Sequence, residues 1–239
     1  MKRVIVVLGL LGALRAPVLA AQQEIGAQLA ARGAPAGLVE GVRTLVAAAQ
    51  QEGLPVEPIQ NKAIEGVAKR APADRILPVL ELIRVRLRQG RAEAQAAGLD
   101  PAPGAVVAGA AEALGRGMST EEVRELIRSA PTPDAAAAGL SVAASLAAQG
   151  LDHRAAARAV HDAYSQGRRP EQLFELPSVV ADLAARGMGM GDMAERILEG
   201  GLPLPPMAGQ GQGVGRPGSV PPGPGQSGEH GQGRGPKKQ

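Results

Sequence analysis

The chain has 239 residues with 44% hydrophobic side chains, a formal net charge of +3, no cysteine, no tryptophan, one tyrosine and one phenylalanine. Without cysteine there is no disulfide framework, thiolate metal site or lipid-modified cysteine. The basic excess is confined to the ends: residues 21–202 hold 19 Lys and Arg against 22 Asp and Glu, a net of −3, which argues against nucleic-acid binding by the body.

Lys2 and Arg3, an apolar run from Val4 to Leu14 broken by Arg15, and the small-residue site Val18-Leu19-Ala20 predict an export signal over residues 1–20, cleaved after Ala20. The run is too short to cross a bilayer, so the mature chain is expected to have no transmembrane segment and to be periplasmic or secreted, in a bacterium.

From residue 21 the spacing predicts an all-α fold. Five glycines, Gly33, Gly53, Gly117, Gly150 and Gly187, are each followed by an apolar residue: Ala34, Leu54, Met118, Leu151 and Met188. Another apolar residue stands four places earlier, as a left-handed glycine cap requires. Apolar spacing supports helices before each stop (Ile25 and Leu29; Val42, Leu45 and Ala49; Val106 and Ala113; Val142 and Leu146; Leu176, Val179 and Leu183). Val39, Ile59, Val123, Ala156 and Met193, six places after the stops, are expected on inner faces.

These hairpins alternate with joints marked by Pro72, Pro133 and Pro170, each near an acid suited to a first helical turn. Ser119 and Glu122 have capping-box spacing. Residues 141–150 and 178–187 are duplicated at a period of 37, which points to helical hairpins repeated in tandem, either α-solenoid-like or an irregular bundle. Tetratricopeptide units have similar length, but their aromatic anchors are missing here.

Pro72 is expected to open the longest helix, to about Ala97, with Pro78 bending it or setting a later start. Ile76, Leu80, Ile83 and Leu87 form one stripe and Leu82 and Val85 lie opposite, which predicts a central helix. Gly98-Leu99-Asp100-Pro101 is a further stop, dividing an N-terminal subdomain (21–99) from a hairpin-repeat subdomain (104–202). Residues 203–239, rich in Gly, Pro and Gln, are expected to form a disordered tail.

Chemistry-bearing patterns are sparse. Gly213 to Gly218 formally match a dinucleotide motif but follow no strand, so no cofactor is expected. His153 and His161, each beside an aspartate, are too far apart on one helix to share a metal. Met188, Met190 and Met193 could bind Cu(I) as soft thioether ligands, although Met188 and Met193 occupy packing positions of the repeat. Arg84, Arg88 and Arg91 share a helix face and could read an anionic partner, or be ordinary solvated charge. Core poverty in aromatics predicts shallow surfaces and no deep aromatic pocket.

The stretch from Gly53 to Ile76, including Lys62, Glu65, Gly66 and Pro72, resembles a pattern in uncharacterised exported α-helical proteins of GC-rich bacteria. The resemblance implies no known activity. Where that pattern often has glycine before the proline linker, this chain has Arg70, so a different turn is expected there. Gly66 is read as permitting close helix approach, and Lys62 with Glu65 as a surface pair.

The sequence is therefore read as an exported non-catalytic scaffold for an unknown protein or envelope polymer. Periplasmic Cu(I) handling through the methionine run, or an enzyme whose site is not legible in sequence, are the other readings.

Overall fold

The computed structural model describes residues 16–200, with side chains from Glu24 onward; the export signal up to Arg15, the Gly213–Gly218 stretch and the C-terminal tail lie outside the described residues. The described residues form helices α1 (Ala16–Ala31), α2 (Ala36–Gln51), α3 (Glu57–Ala68), α4 (Ala73–Ala96), α5 (Gly104–Gly115), α6 (Thr120–Ser129), α7 (Pro133–Ala148), α8 (His153–Ser165), the single turn α9 (Pro170–Leu173), α10 (Leu176–Ala185) and α11 (Met190–Gly200), with no strand among them. The fold is all-α.

One backbone device ends eight of these helices. Gly33, Gly53, Arg70, Gly98, Gly117, Gly150, Gly167 and Gly187 have positive φ, from 55° to 100°. Each donates its own N–H to the carbonyl three residues back at 2.8–3.1 Å, and the next residue donates to the carbonyl five back at 2.9–3.2 Å. That pair of bonds is the Schellman motif, and it satisfies carbonyls that a helix end would otherwise leave without partners. The residue after the stop is thereby turned inward: Leu54, Met118 and Leu151 are buried.

All five expected stops take this form, and Gly98 does too. The turn at Arg70 corrects one expectation, because arginine adopts the left-handed conformation (φ 55°) that glycine would fill, and the turn is the same. The alternation of two joint types is corrected as well. Pro72 and Pro170 each follow a left-handed stop, at Arg70 and Gly167. Only Thr132-Pro133 is a separate kind of joint: Ala130 is extended there and the Thr132 hydroxyl accepts the Ala135 N–H at 3.1 Å.

Helix starts are capped where the sequence indicates. Ser119 and Glu122 form a reciprocal capping box. Asp152 accepts from the N–H groups of Arg154 and Ala155 at 3.0 and 3.2 Å.

The core lies in two clusters that meet along α5. One takes its buried side chains from α1 to α4 and from Val107 and Ala111 of α5. The other takes Val106, Ala110 and Ala113 from the same helix, adds Ala94 from α4, and runs through α6, α7, α8 and α11. Helix α5 is thus a wall common to both. Alanine makes this geometry possible because helices with so little side-chain volume approach closely. At Gly90 on α4 a Cβ would stand 2.7 Å from the Val107 carbonyl oxygen of α5. At Gly139 on α7 it would collide with the Tyr164 hydroxyl of α8, which donates to the Ala135 carbonyl at 2.9 Å. Gly66 likewise packs its bare backbone on Ile76 of α4, as expected.

The duplicated segments take unequal places. Helix α7 packs against α5, α6, α8, α9 and α10, and its Val142 and Leu146 are buried. In α10 the matching Val179 and Leu183 are only partly buried. The helices that α7 packs against belong to its own hairpin or to the hairpins on either side of it, as in units stacked in tandem, although the two copies differ in burial. Pro78 is accommodated inside α4, which runs unbroken from Ala73. The second apolar face of α4 is the other correction: Leu82 and Val85 are 46% and 42% exposed, so this helix is central on one side only.

The left-handed stops make a paired prediction. No heavy atom lies within 4 Å of a Cβ placed on Gly150, so Gly150→Ala costs the backbone strain less the unfolded-state entropy that alanine removes, a net loss of roughly 0.5–1 kcal/mol. Arg70→Gly relieves the same strain less the extra unfolded-state entropy of glycine, a net gain of roughly 0.5 kcal/mol. Urea denaturation of both variants checks the opposite signs.

Candidate functional site

Of the sequence-derived candidates, the arginines of α4 are brought together most closely, at the C-terminal end of α2. Arg84 bonds to the Glu52 carboxylate at 2.5 Å and to Glu81 at 2.7 Å. Arg88 Nε lies 3.6 Å from the other Glu52 oxygen, and Arg91 donates to the Glu52 carbonyl. Glu52 is the C-terminal cap of α2. The three guanidinium groups therefore converge on a helix end whose carbonyls carry partial negative charge. They share a face as the spacing predicts, but they hold α2 onto α4 rather than standing as an open anion-binding row.

The methionines are part of the packing. Met193 is buried in the larger core cluster, and Met188 and Met190 pack against it. His153 lies against Gly117, with its Cε1 2.9 Å from where a Cβ would be. His161 instead lines a depression of about 270 Å³ between α6 and α8, with Glu125 and Arg154. Among the described residues no group of three or more His, Asp or Glu is arranged to hold a metal ion.

One concavity is announced by no single sequence segment. It is an open groove of about 870 Å³ lined by α3, α4, α5, α7 and α9. Its floor is bare: Ala105, Ala108 and Gly109 of α5 and Ala137, Ala138 and Ser141 of α7 carry nothing longer than a hydroxyl. Pro58 and Lys62 of α3, Pro170 of α9 and Phe174, which directly follows α9, also line it. Phe174, the chain's one phenylalanine, is 57% exposed. An aromatic ring left in water at the edge of a groove is the sort of contact residue that interfaces favour.

The charges of the groove are of two kinds. Lys62 and Lys69 both bond Glu65, at 2.9 and 2.6 Å, and hold its carboxyl down at about 2, the Lys69 hydrogen bond weighing most. The side chains of Arg86, Arg116, Glu112 and Asp134 make no side-chain hydrogen bond or ion pair among the described residues. Asp134 sits in the first turn of α7, where the helix dipole favours it. Arg86 reaches over Gly115, its Nη1 3.0 Å from where a Cβ would be. Small floor, exposed ring and unpaired charges of both signs suit a polypeptide segment laid along the groove better than a small molecule, which wants an enclosed apolar pocket.

Comparison with family models, curated proteins and solved structures returned no match.

The lysine pair at Glu65 gives a measurable pH signature. A depressed carboxylate contributes stability that is present above its unfolded value, near 4.5, and lost as pH falls towards about 2. NMR titration of the Glu65 side chain is expected to show a midpoint at about 2, and the double change Lys62→Gln with Lys69→Gln returns it towards the ordinary carboxylate range. Salt raises the native midpoint, because the pair is exposed.

Proposed function

We propose that the chain is an exported, non-catalytic interaction module that holds a segment of a partner protein in the α3–α9 groove. The observation that carries this reading is the combination of a bare alanine and glycine floor with unpaired Arg86, Arg116 and Glu112 above it and exposed Phe174 at its edge. A floor without long side chains lets a second backbone come close, and the unpaired charges fix register.

Two further points support it. Glu65, the strongly shifted carboxylate of the groove, is shifted down, which makes it a poor proton donor and a weak base, contrary to what acid–base catalysis requires. Residues 1–20 have the layout of an export signal, and cleavage after Ala20 leaves Ile25 and Leu29, two buried residues of α1, in the mature chain.

The test is selection of peptides from a random displayed library on the mature chain, followed by binding to variants. Ala108→Trp fills the groove floor and Phe174→Ala removes the edge ring; each is expected to weaken the selected peptides at least about tenfold, or 1.4 kcal/mol, with little change in melting temperature. Undiminished affinity for Ala108→Trp, or selection of no peptide, contradicts the proposal.

A further inference from the structure

Arg86 is the one half-buried arginine among the described residues whose guanidinium has no acceptor there. Arg84, Arg91, Arg124 and Arg168 are also half-buried or buried, and each has one. Arg84 meets the carboxylates of Glu52 and Glu81, Arg91 the Glu52 carbonyl, Arg124 the Glu93 carboxylate and Arg168 the Gln166 side-chain oxygen. Taking a charged group out of water without a partner is unfavourable, so an exception points to an acceptor from elsewhere. The Arg86 guanidinium lies on the last turn of α5, its Nη1 3.0 Å and its Cζ 3.4 Å from where a Cβ on Gly115 would be. Gly115 is not one of the left-handed stops, so its missing side chain serves the approach of Arg86 and not the backbone.

Arg116 follows Gly115 in the chain and is the exposed C-terminal cap of α5, so two positive charges share this end of the groove. The carbonyls of Glu112, Ala113 and Leu114 at that helix end already accept backbone N–H groups of the stop at Gly117. Of the acids lining the groove, Glu65 is held by Lys62 and Lys69, while Glu112 and Asp134 are exposed and pair with neither arginine. We propose, on the reading of the groove as a polypeptide site, that Arg86 and Arg116 together grip one acidic side chain of the bound segment. Two planar guanidinium forks match a carboxylate, and such charge-assisted bonds are the strong ones. Glu112 and Asp134 repel further acids, so the segment carries a single acid at a fixed place and not an acidic run.

Random displayed peptides selected on the full chain are expected to share an acid at one position. Changing that acid to its amide in a selected peptide weakens binding to the parent at least about tenfold. For the variant carrying Arg86→Gln and Arg116→Gln the same change weakens binding less than about twofold. Neither arginine supports the fold through an ion pair among the described residues, so this variant is expected to melt as the parent does. Peptides with no preferred acid, or an equal loss on parent and variant, overturn the grip; if those peptides still fail on Ala108→Trp, the groove reading survives. The converse, a dependence on acid and arginines that Ala108→Trp leaves unchanged, upholds the grip and overturns the groove reading. A library that yields no peptide overturns both.

Discussion

The hydrogen bond from the residue after each left-handed stop back to the carbonyl five residues earlier is the contact on which the rest of this structure depends. It fixes where a helix ends and, in the same step, which side chain is turned back under that helix. At Gly150, for example, the Leu151 N–H reaches the Leu146 carbonyl at 3.2 Å, and both leucines are buried. A core made chiefly of alanine gains little area per residue. It therefore needs its helices placed accurately before the larger side chains at the stops, Leu54, Met118 and Leu151, contribute their burial.

Close crossing is the second consequence of the same composition. Gly90 lays α4 directly on the α5 backbone, and Gly139 makes room for the hydroxyl of the one tyrosine. What packs tightly on the inside leaves a smooth surface on the outside, and the groove floor from Ala105 to Ser141 is that surface seen from solvent. The charged residues are divided accordingly. Arg84, Arg88 and Arg91 are spent holding the end of α2, and Arg124 ties α6 to Glu93 of α4. Arg86 and Arg116 remain in the groove without such work, which is why the groove and not the arginine row is the surface of interest.

Much of the fold was legible because glycine occupies the left-handed region without a Cβ penalty, so its position reports a backbone event directly. Arg70 shows the limit of that signal: the same turn forms there with a non-glycine residue in the strained conformation. Gly167 was obscured by the proline that follows it. Apolar residues on two faces of α4 were legible as a pattern but not as an environment, since Leu82 and Val85 look the same in sequence whether covered by the fold or left in water. The groove was not legible at all. Its residues run from Pro58 to Phe174, and most are alanines and glycines whose importance lies in the space they leave. The spacing of Arg84, Arg88 and Arg91 showed a common face, but only the position of Glu52 shows what that face holds.

Native-state hydrogen exchange tests the central claim most directly. If each stop is a closed Schellman turn, the amides of Ala34, Leu54, Leu99, Met118, Leu151 and Met188 exchange at least about a hundredfold more slowly than unstructured chain, even though each lies outside a helix. Exchange of these amides at the rate of open loops, while the flanking helices remain protected, would contradict the account.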